Sequence, residues 1–487
     1  MLTKKERIDS ASIWDEEVHF LSDLYSRGVP IATEIKSKLI LNRMKYAEPL
    51  LLLYPPREKL EDIDTHFEIE IRGYSEFSGG GISTEIHIPK AYVMHSQSTV
   101  FASSWQESSI EVIPDEIYQK HYLRDQGDQL REKAWVTFIL TKNNMIGPWG
   151  TTERSFTGEV KRNFKPRVVL NFENGWVGTF ERHYKYINTK TEGIEGYFSS
   201  SNLVFNLKRA GNRISSLEEI HVISNALDKL LLYVSFATRQ RTMWVAWTSE
   251  IENQLVEYYR NIVKPSKTNE YDEPLIEERL IKEFLKHCLE YMGNKENLDL
   301  YLPLLYLVTA DKPGTTVESQ FLSLFVSLEA LLHLYGTKKS KTKYFKTDDD
   351  WKIFKAYIKN AIDEFRPLSD DLRVAMLNKI GIFNQTSINF LYHDFCNVMQ
   401  IDNSDLWPVF GSGRSLYNLR NKLVHGILSG DELFWSYARI NLKWIVERCL
   451  LAIIGWKSDN NVDGETLIKY YPYKEWKPYY NEANSGS

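Results

Sequence analysis

The sequence predicts an α+β protein of two unlike parts, a strand-rich N-terminal half followed by an all-α helical bundle, and three observations predict it. In the first half apolar residues recur with period two, in segments rich in β-branched and aromatic side chains. Past the polar stretch KPSKTNEYDEP (264–274) the spacing becomes helical. At 487 residues the chain is also too long for one ordinary core. The expected divisions are a strand-rich domain over 1–263, a joint over 264–274, a helical domain over 275–456 and a C-terminal arm over 457–487.

In the first half the strand-like segments are HFEIEIRGY, GISTEIHIP, AWVTFILTK, PRVVLNFENGWVGTFERHYKYI and NLVFNLKR, separated by the turn signals SGGG, NNMIGPWG and RAGN. They imply an antiparallel sheet, a sandwich or a curled barrel. SSLEEIHVISNALDKLLLYVSFATRQ reads as one long amphipathic helix with a serine cap, and TMWVAWTS as a strand returning to the sheet. The second half supplies eight helical segments, from LIEERLIKEFLKHCLEYM to LFWSYARINLKWIVERCLLAIIGW, with no fixed repeat, so a bundle is expected and not a solenoid.

Composition narrows the function classes. Hydrophobic residues make up 43% of the chain, with 13 Trp, 28 Tyr and 23 Phe, enough apolar area for sizeable cores. A net charge of -5 excludes bulk electrostatic coating of nucleic acid; a polyanion would have to be gripped by a local basic patch. Cys288, Cys396 and Cys449 are odd in number and show no metal-ligand spacing, so a reducing compartment and no metal or other cofactor are expected. The charged N-terminal stretch has no apolar signal core and runs such as CLLAIIGW (449–456) are short, which gives the expectation of a soluble, cytoplasmic protein with no membrane partner.

The stretch LYNLRNKLVHGIL (416–428) is the most informative for chemistry. On a helix of ~100° per residue, Leu416, Leu419, Leu423 and Ile427 form a core stripe, while Tyr417, Arg420, Asn421, Val424, His425 and Leu428 share a second arc. That arc mixes apolar residues with a guanidinium, an amide and an imidazole, a blend suited to a wet, concave interface. Arg420 and His425 lie roughly 7.5 Å apart along the axis. A symmetric dimer would set the patch against itself, with Tyr417, Val424 and Leu428 at the contact.

RNKLVH matches the Arg-Asn-x-x-x-His form of the motif that marks the HEPN superfamily of helical ribonucleases and nucleotide-binding proteins, and FLSLFVSLEALLHLYG resembles the leucine-rich early helix of HEPN domains of the Apea type. The strand-rich half resembles, by architecture, the N-terminal domains joined to such HEPN domains in bacterial anti-phage defence proteins. The resemblance implies a homodimeric endoribonuclease whose metal-independent site is built from both protomers. It implies His425 as general acid–base at the ribose 2′-OH or leaving 5′-oxygen, Arg420 on the scissile phosphate and Asn421 as an orienting group. The products would be 2′,3′-cyclic phosphate and 5′-OH ends, with RNA as the substrate because the 2′-OH is needed. A phage-derived trigger, acting through the strand-rich half, would gate the cut. The alternative is a non-catalytic HEPN module that binds a nucleotide, RNA or a protein.

Other residues carry two readings each. His425 beside Gly426 also suits a cation closing a helix C-terminus. Glu329, inside an otherwise apolar helix, is either a supporting residue that positions Arg420 or His425, or an i, i+4 partner of His333. Lys338, Lys339, Lys341 and Lys343 in KKSKTKYFK form either an RNA-guiding patch or a solvated loop beside TDDD. SGGGIS lacks the lysine of a phosphate loop and reads as a hairpin turn, and YHDFC (392–396), whose neighbours diverge on a helix, reads as packing. Aromatic GWVGTFERHYKYI reads as sheet core.

Overall fold

The computed structural model describes residues 16–41, 49–56, 58, 59, 63, 66–75, 83–100, 106–122, 133–141, 143, 145, 146, 151–154, 160–163, 168–172, 175–191, 194–211, 213–252, 254–261, 274–310, 315–411, 413–427 and 432–456. Contacts divide the chain into two compact units, residues 1–286 and 287–487. The expected joint at 264–274, apart from Pro274, and the expected arm at 457–487 lie outside the described residues.

The first unit holds strands β1 (Glu16–Ser26), β2 (Val29–Leu41), β3 (Leu50–Tyr54), β4 (Glu68–Ser75), β5 (Ser83–Val100), β6 (Gln106–Pro114), β7 (Glu116–Tyr122), β8 (Lys133–Leu140), β9 (Thr151–Arg154), β10 (Val160–Asn163), β11 (Val169–Asn171), β12 (Trp176–Thr191) and β13 (Ile194–Ala210), then helix α1 (Leu217–Thr238) and strands β14 (Trp244–Ile251) and β15 (Gln254–Arg260). All but β9 and β10 pair in one antiparallel sheet in the order β11-β12-β13-β8-β14-β15-β7-β5-β4-β1-β2-β3-β6, and β6 pairs back onto β5. The last six of that order therefore close into a barrel, the curled-barrel form among the expected architectures. TMWVAWTS does return to the sheet, as β14 between β8 and β15.

The barrel forms because alternate residues face one interior. Ile35 and Leu39, Leu51 and Leu53, Ile110 and Val112 are each 0% exposed, two apiece from β2, β3 and β6. The Ser22 and Ser37 hydroxyls pair at 2.7 Å within this apolar setting, which satisfies two buried polar groups at once. β1 turns into β2 through Arg27 (φ 50°) and Gly28 (φ 80°), the doubly left-handed pair that a tight hairpin needs. One edge of β5 carries β4; its other edge carries β7 along Ser83–His87 and β6 along Ala91–Val100. β6 and β7 are thus successive lengths of chain bent at Asp115. The Asp115 N–H donates to the Lys90 carbonyl at 2.9 Å, and its carbonyl accepts from the Asn261 N–H at 2.8 Å.

Helix α1 starts where the Ser216 hydroxyl accepts from the Glu219 N–H and stops at Arg239, which adopts the left-handed conformation at φ 52°. Its end is held by Asn143, whose amide donates to the Thr238 and Thr242 hydroxyls at 2.9 and 2.8 Å.

The chain continues through α2 (Ile281–Gly293), inside which the division between units falls. The second unit then holds α3 (Tyr301–Ala310), α4 (Val317–Lys338), α5 (Asp348–Glu364), α6 (Asp370–Lys379), α7 (Ile388–Met399), α8 (Leu416–Val424) and α9 (Glu432–Ile454). Helix α4 is the hub, packed against α3, α7, α8 and α9. Its Phe321 ring meets Trp435 edge-on at 5.6 Å, and Leu324, Leu328, Leu331 and Leu332 are buried along it. The α5–α6 pair is peripheral: Ile362 is the buried residue of α5, and α6 has none. Longer apolar helices occur than the sequence runs suggested. Both α1 and α4 have 22 residues and an 18-residue window of mean hydropathy 1.2, long and apolar enough to cross a membrane, with 56% and 39% of those windows buried inside the protein.

Gly73 of β4 marks the tightest approach in the barrel wall. A methyl group there would meet the Phe20 ring and, at 2.7 Å, the Leu21 carbonyl oxygen, which is backbone and has little freedom to move. Gly73→Ala is expected to destabilise the protein by about 1–3 kcal/mol, read as a lower urea midpoint of unfolding.

Candidate functional site

Helix α8 is fixed at both ends by local chemistry. The Ser415 hydroxyl accepts from the Asn418 N–H at 3.3 Å, and the Leu416 and Tyr417 N–H groups donate to the carbonyls of Pro408 and Val409 at 3.0 and 2.9 Å. The preceding segment is itself anchored by buried Trp407, whose indole donates to the Arg414 carbonyl at 2.8 Å and whose N–H donates to Asn441 Oδ1 of α9 at 3.1 Å. Leu416 and Leu419 are buried, as the core stripe requires.

The helix ends one residue before His425. The Gly426 N–H donates to the Leu423 carbonyl and the Ile427 N–H to the Lys422 carbonyl, at 3.0 and 2.8 Å, with Gly426 at φ +73°. This paired closure is the Schellman arrangement, with His425 at the cap. It corrects one expectation: the chain reverses at Gly426, so Ile427 leaves the core stripe and is 57% exposed.

Arg420 and Glu329 meet across the packed faces of α8 and α4. Arg420 Nη2 lies 3.5 Å from Glu329 Oε1, and Arg420 Nη1 donates to Asn421 Oδ1 at 3.2 Å. The Glu329 carboxylate is not the buried group that its apolar helix suggested: its side chain is 32% exposed, so water shares in solvating it. Of the partners expected for it, Arg420, His425 or His333, the structure gives it Arg420, in another helix. The exposed His425 ring lies beyond them at the helix end.

The expected interface residues fare differently. Tyr417 is half-buried and packs within the unit, 5.1 Å from the Phe410 ring and 6.1 Å from Phe325. Val424 is 54% exposed, and Leu428 lies outside the described residues.

The lysine run is an ordered connection. The Thr386 N–H donates to the Thr342 carbonyl and the Tyr344 N–H to the Asn384 carbonyl, both at 3.0 Å. Lys338, Lys339 and Lys343 are exposed, whereas Lys341 Nζ donates to both oxygens of Asp394 at 2.7 Å. Tyr335 adds a hydrogen bond to the same carboxylate at 2.8 Å. Asp394 belongs to YHDFC, and its pairing with Lys341 joins positions 53 residues apart, a contact no local pattern signals. Of the remaining groups, His393 is exposed, Tyr392 is buried and its phenol accepts from Asn403 Nδ2 at 3.0 Å, and the free thiols of Cys396 and Cys449 share a hydrogen bond. The described residues contain no cluster of three or more His, Cys, Asp or Glu side chains able to hold a metal ion.

Compared with protein-family models, with curated proteins and with solved structures, the chain matches none.

Lys341, and after it the Tyr335 hydroxyl, holds the Asp394 carboxyl below the usual carboxylate range, while burial and then Asp394 push the Tyr335 phenol up to about 12. A depressed folded pKa contributes stability that is complete above the unfolded value, near ~4, and is lost as pH falls through the folded one. Unfolding of wild type and Asp394→Asn followed by fluorescence should therefore show a stability gap at neutral pH that closes as the solution is acidified.

Proposed function

We propose that this chain is a HEPN-type endoribonuclease of anti-phage defence, soluble and cytoplasmic, active as a homodimer and gated by its strand-rich half. The observation that supports it best is the placement of Arg420: it stands on a helix whose two ends are pinned, is oriented by Glu329 from a second helix, and remains part-exposed one turn before an exposed His425. An arginine held by one carboxylate oxygen at 3.5 Å keeps N–H donors for a phosphate.

In this reading His425 takes the proton of a ribose 2′-OH, and the resulting alkoxide attacks the adjacent phosphorus. The P–O5′ bond breaks as the leaving oxygen gains a proton from the imidazolium of the second His425, which gives a 2′,3′-cyclic phosphate and a 5′-OH. Arg420 neutralises charge on the non-bridging oxygens, and Asn421 steadies the guanidinium through the bond it already makes. A second protomer supplies the second Arg420–His425 pair, with exposed Val424 and Ile427 at the contact. Lys338, Lys339 and Lys343 extend a basic track for the RNA, whereas Lys341 serves the fold.

One observation favours a second reading, that of a non-catalytic RNA- or nucleotide-binding module. His425 sits at the cap of α8, where an imidazolium would stabilise the helix terminus without any chemistry.

The two readings part at His425. Express wild type and His425→Ala in bacteria, challenge both with phage and map 5′-OH ends in total RNA. Loss of a general acid–base should lower cleavage by roughly 10²- to 10⁴-fold and abolish protection; protection that persists supports the binding module. Glu329→Gln should lower cleavage by roughly tenfold to a hundredfold by releasing Arg420, while purified protein keeps its unfolding free energy to within about 1 kcal/mol, as befits a part-exposed ion pair.

A further inference from the structure

The strand-rich unit contains a cleft of ≈ 480 Å³ whose lining comes from α1, β7, β14, β15 and the bend at Asp115. Nothing in the ribonuclease reading uses it. Four of its lining residues are aromatic: Tyr118, Trp244, Trp247 and Tyr258. The Trp247 and Tyr258 rings stack at 5.6 Å and 19°, and Tyr118 lies 4.7 Å from Tyr258.

The charges of this cleft do not cancel. Arg260 is committed: its guanidinium lies 3.5 Å from the centroid of the Trp244 ring, grips Asp228 through Nη2 and Nη1 at 3.0 and 3.3 Å, and donates from Nε to the Trp244 carbonyl at 2.8 Å. That leaves Asp115 and Glu116, which have no cationic partner among the described residues; His221, also in the lining, is exposed. The Tyr118 phenol donates to Glu116 Oε2 at 3.4 Å, and burial, followed by that carboxylate, pushes it up to about 12, so it stays protonated and donating. Burial, then Glu116, likewise raises Tyr258.

We infer that this cleft is a binding site for a small organic cation, an ammonium or guanidinium compound. Tyr118, the half-buried ring of the four, can attract such a charge through its π-system, and two carboxylates give it a counter-charge in a partly desolvated setting. A phosphate-bearing ligand is disfavoured by the same groups, since the one arginine present is already bound by a carboxylate and a carbonyl. The assignment stands whether or not the helical half cuts RNA, because it is read by binding alone.

The test is isothermal titration calorimetry of the full chain at low salt with agmatine, spermidine and choline, and with AMP as the anionic comparison. At least one cation should bind with one-site stoichiometry, weaken as salt is raised, and bind more tightly than AMP. Asp115→Asn and Glu116→Gln keep the side-chain shape and remove the charge; each should weaken that cation about tenfold or more, with thermal unfolding of the unliganded protein confirming that the variants fold. Absence of binding by all three cations, tighter binding of AMP, or cation binding unchanged in both variants would overturn the assignment.

Discussion

The strand-rich unit depends on one bend. At Asp115 a continuous length of chain leaves the barrel as β6 and enters the open part of the sheet as β7, both lying along the same edge of β5. The backbone there is held from two sides, by the Lys90 carbonyl and the Asn261 N–H. Without that double anchor, a register shift on one side of the bend would carry every side chain of the following strand to the wrong face. The same anchor places Asp115 and Asn261 beside each other at the mouth of the aromatic cleft, so one piece of backbone geometry serves both the sheet and the pocket.

In the helical unit the corresponding constraint is α4. It presents apolar residues to α3, α7, α8 and α9, and the one carboxylate among its middle turns, Glu329, emerges where α8 passes. The pairing of Arg420 with Glu329 is weak as a source of stability, being part-exposed. Its effect is on direction: a long, many-rotamer side chain is biased toward one orientation on a helix that Trp407, Ser415 and Gly426 already fix.

Much of the architecture is legible in the sequence, and the misses have physical causes that differ from element to element. The segments HFEIEIRGY and AWVTFILTK show clear alternation and become β4 and β8. β1, β2 and β7 do not stand out, because polar residues occupy inward positions: Ser22 and Ser37 face each other inside the barrel, and Gln119 and His121 are buried on β7. Each interrupts the apolar stripe that a period-two reading counts. Among site residues, the clustering of Arg420 and Asn421 follows from helix geometry alone. The reach of Glu329 to α8 and of Lys341 to Asp394 does not, because both are contacts between elements distant in sequence. Ile427 falls on the core stripe only if the helical period runs on through Gly426, the glycine that ends the helix.

Closing the barrel has a consequence for how the protein behaves in a crowded solution. An open sheet has two margins of unpaired N–H and C=O groups, and each is a template on which another chain can add a strand. Here β6 folds back onto β5, so in the described sheet one margin has been turned inward and consumed. The margin that remains is the three-residue β11 together with the length of β12 beyond Phe180 that β11 does not cover. In the described sheet, strand addition is thereby confined to that one side.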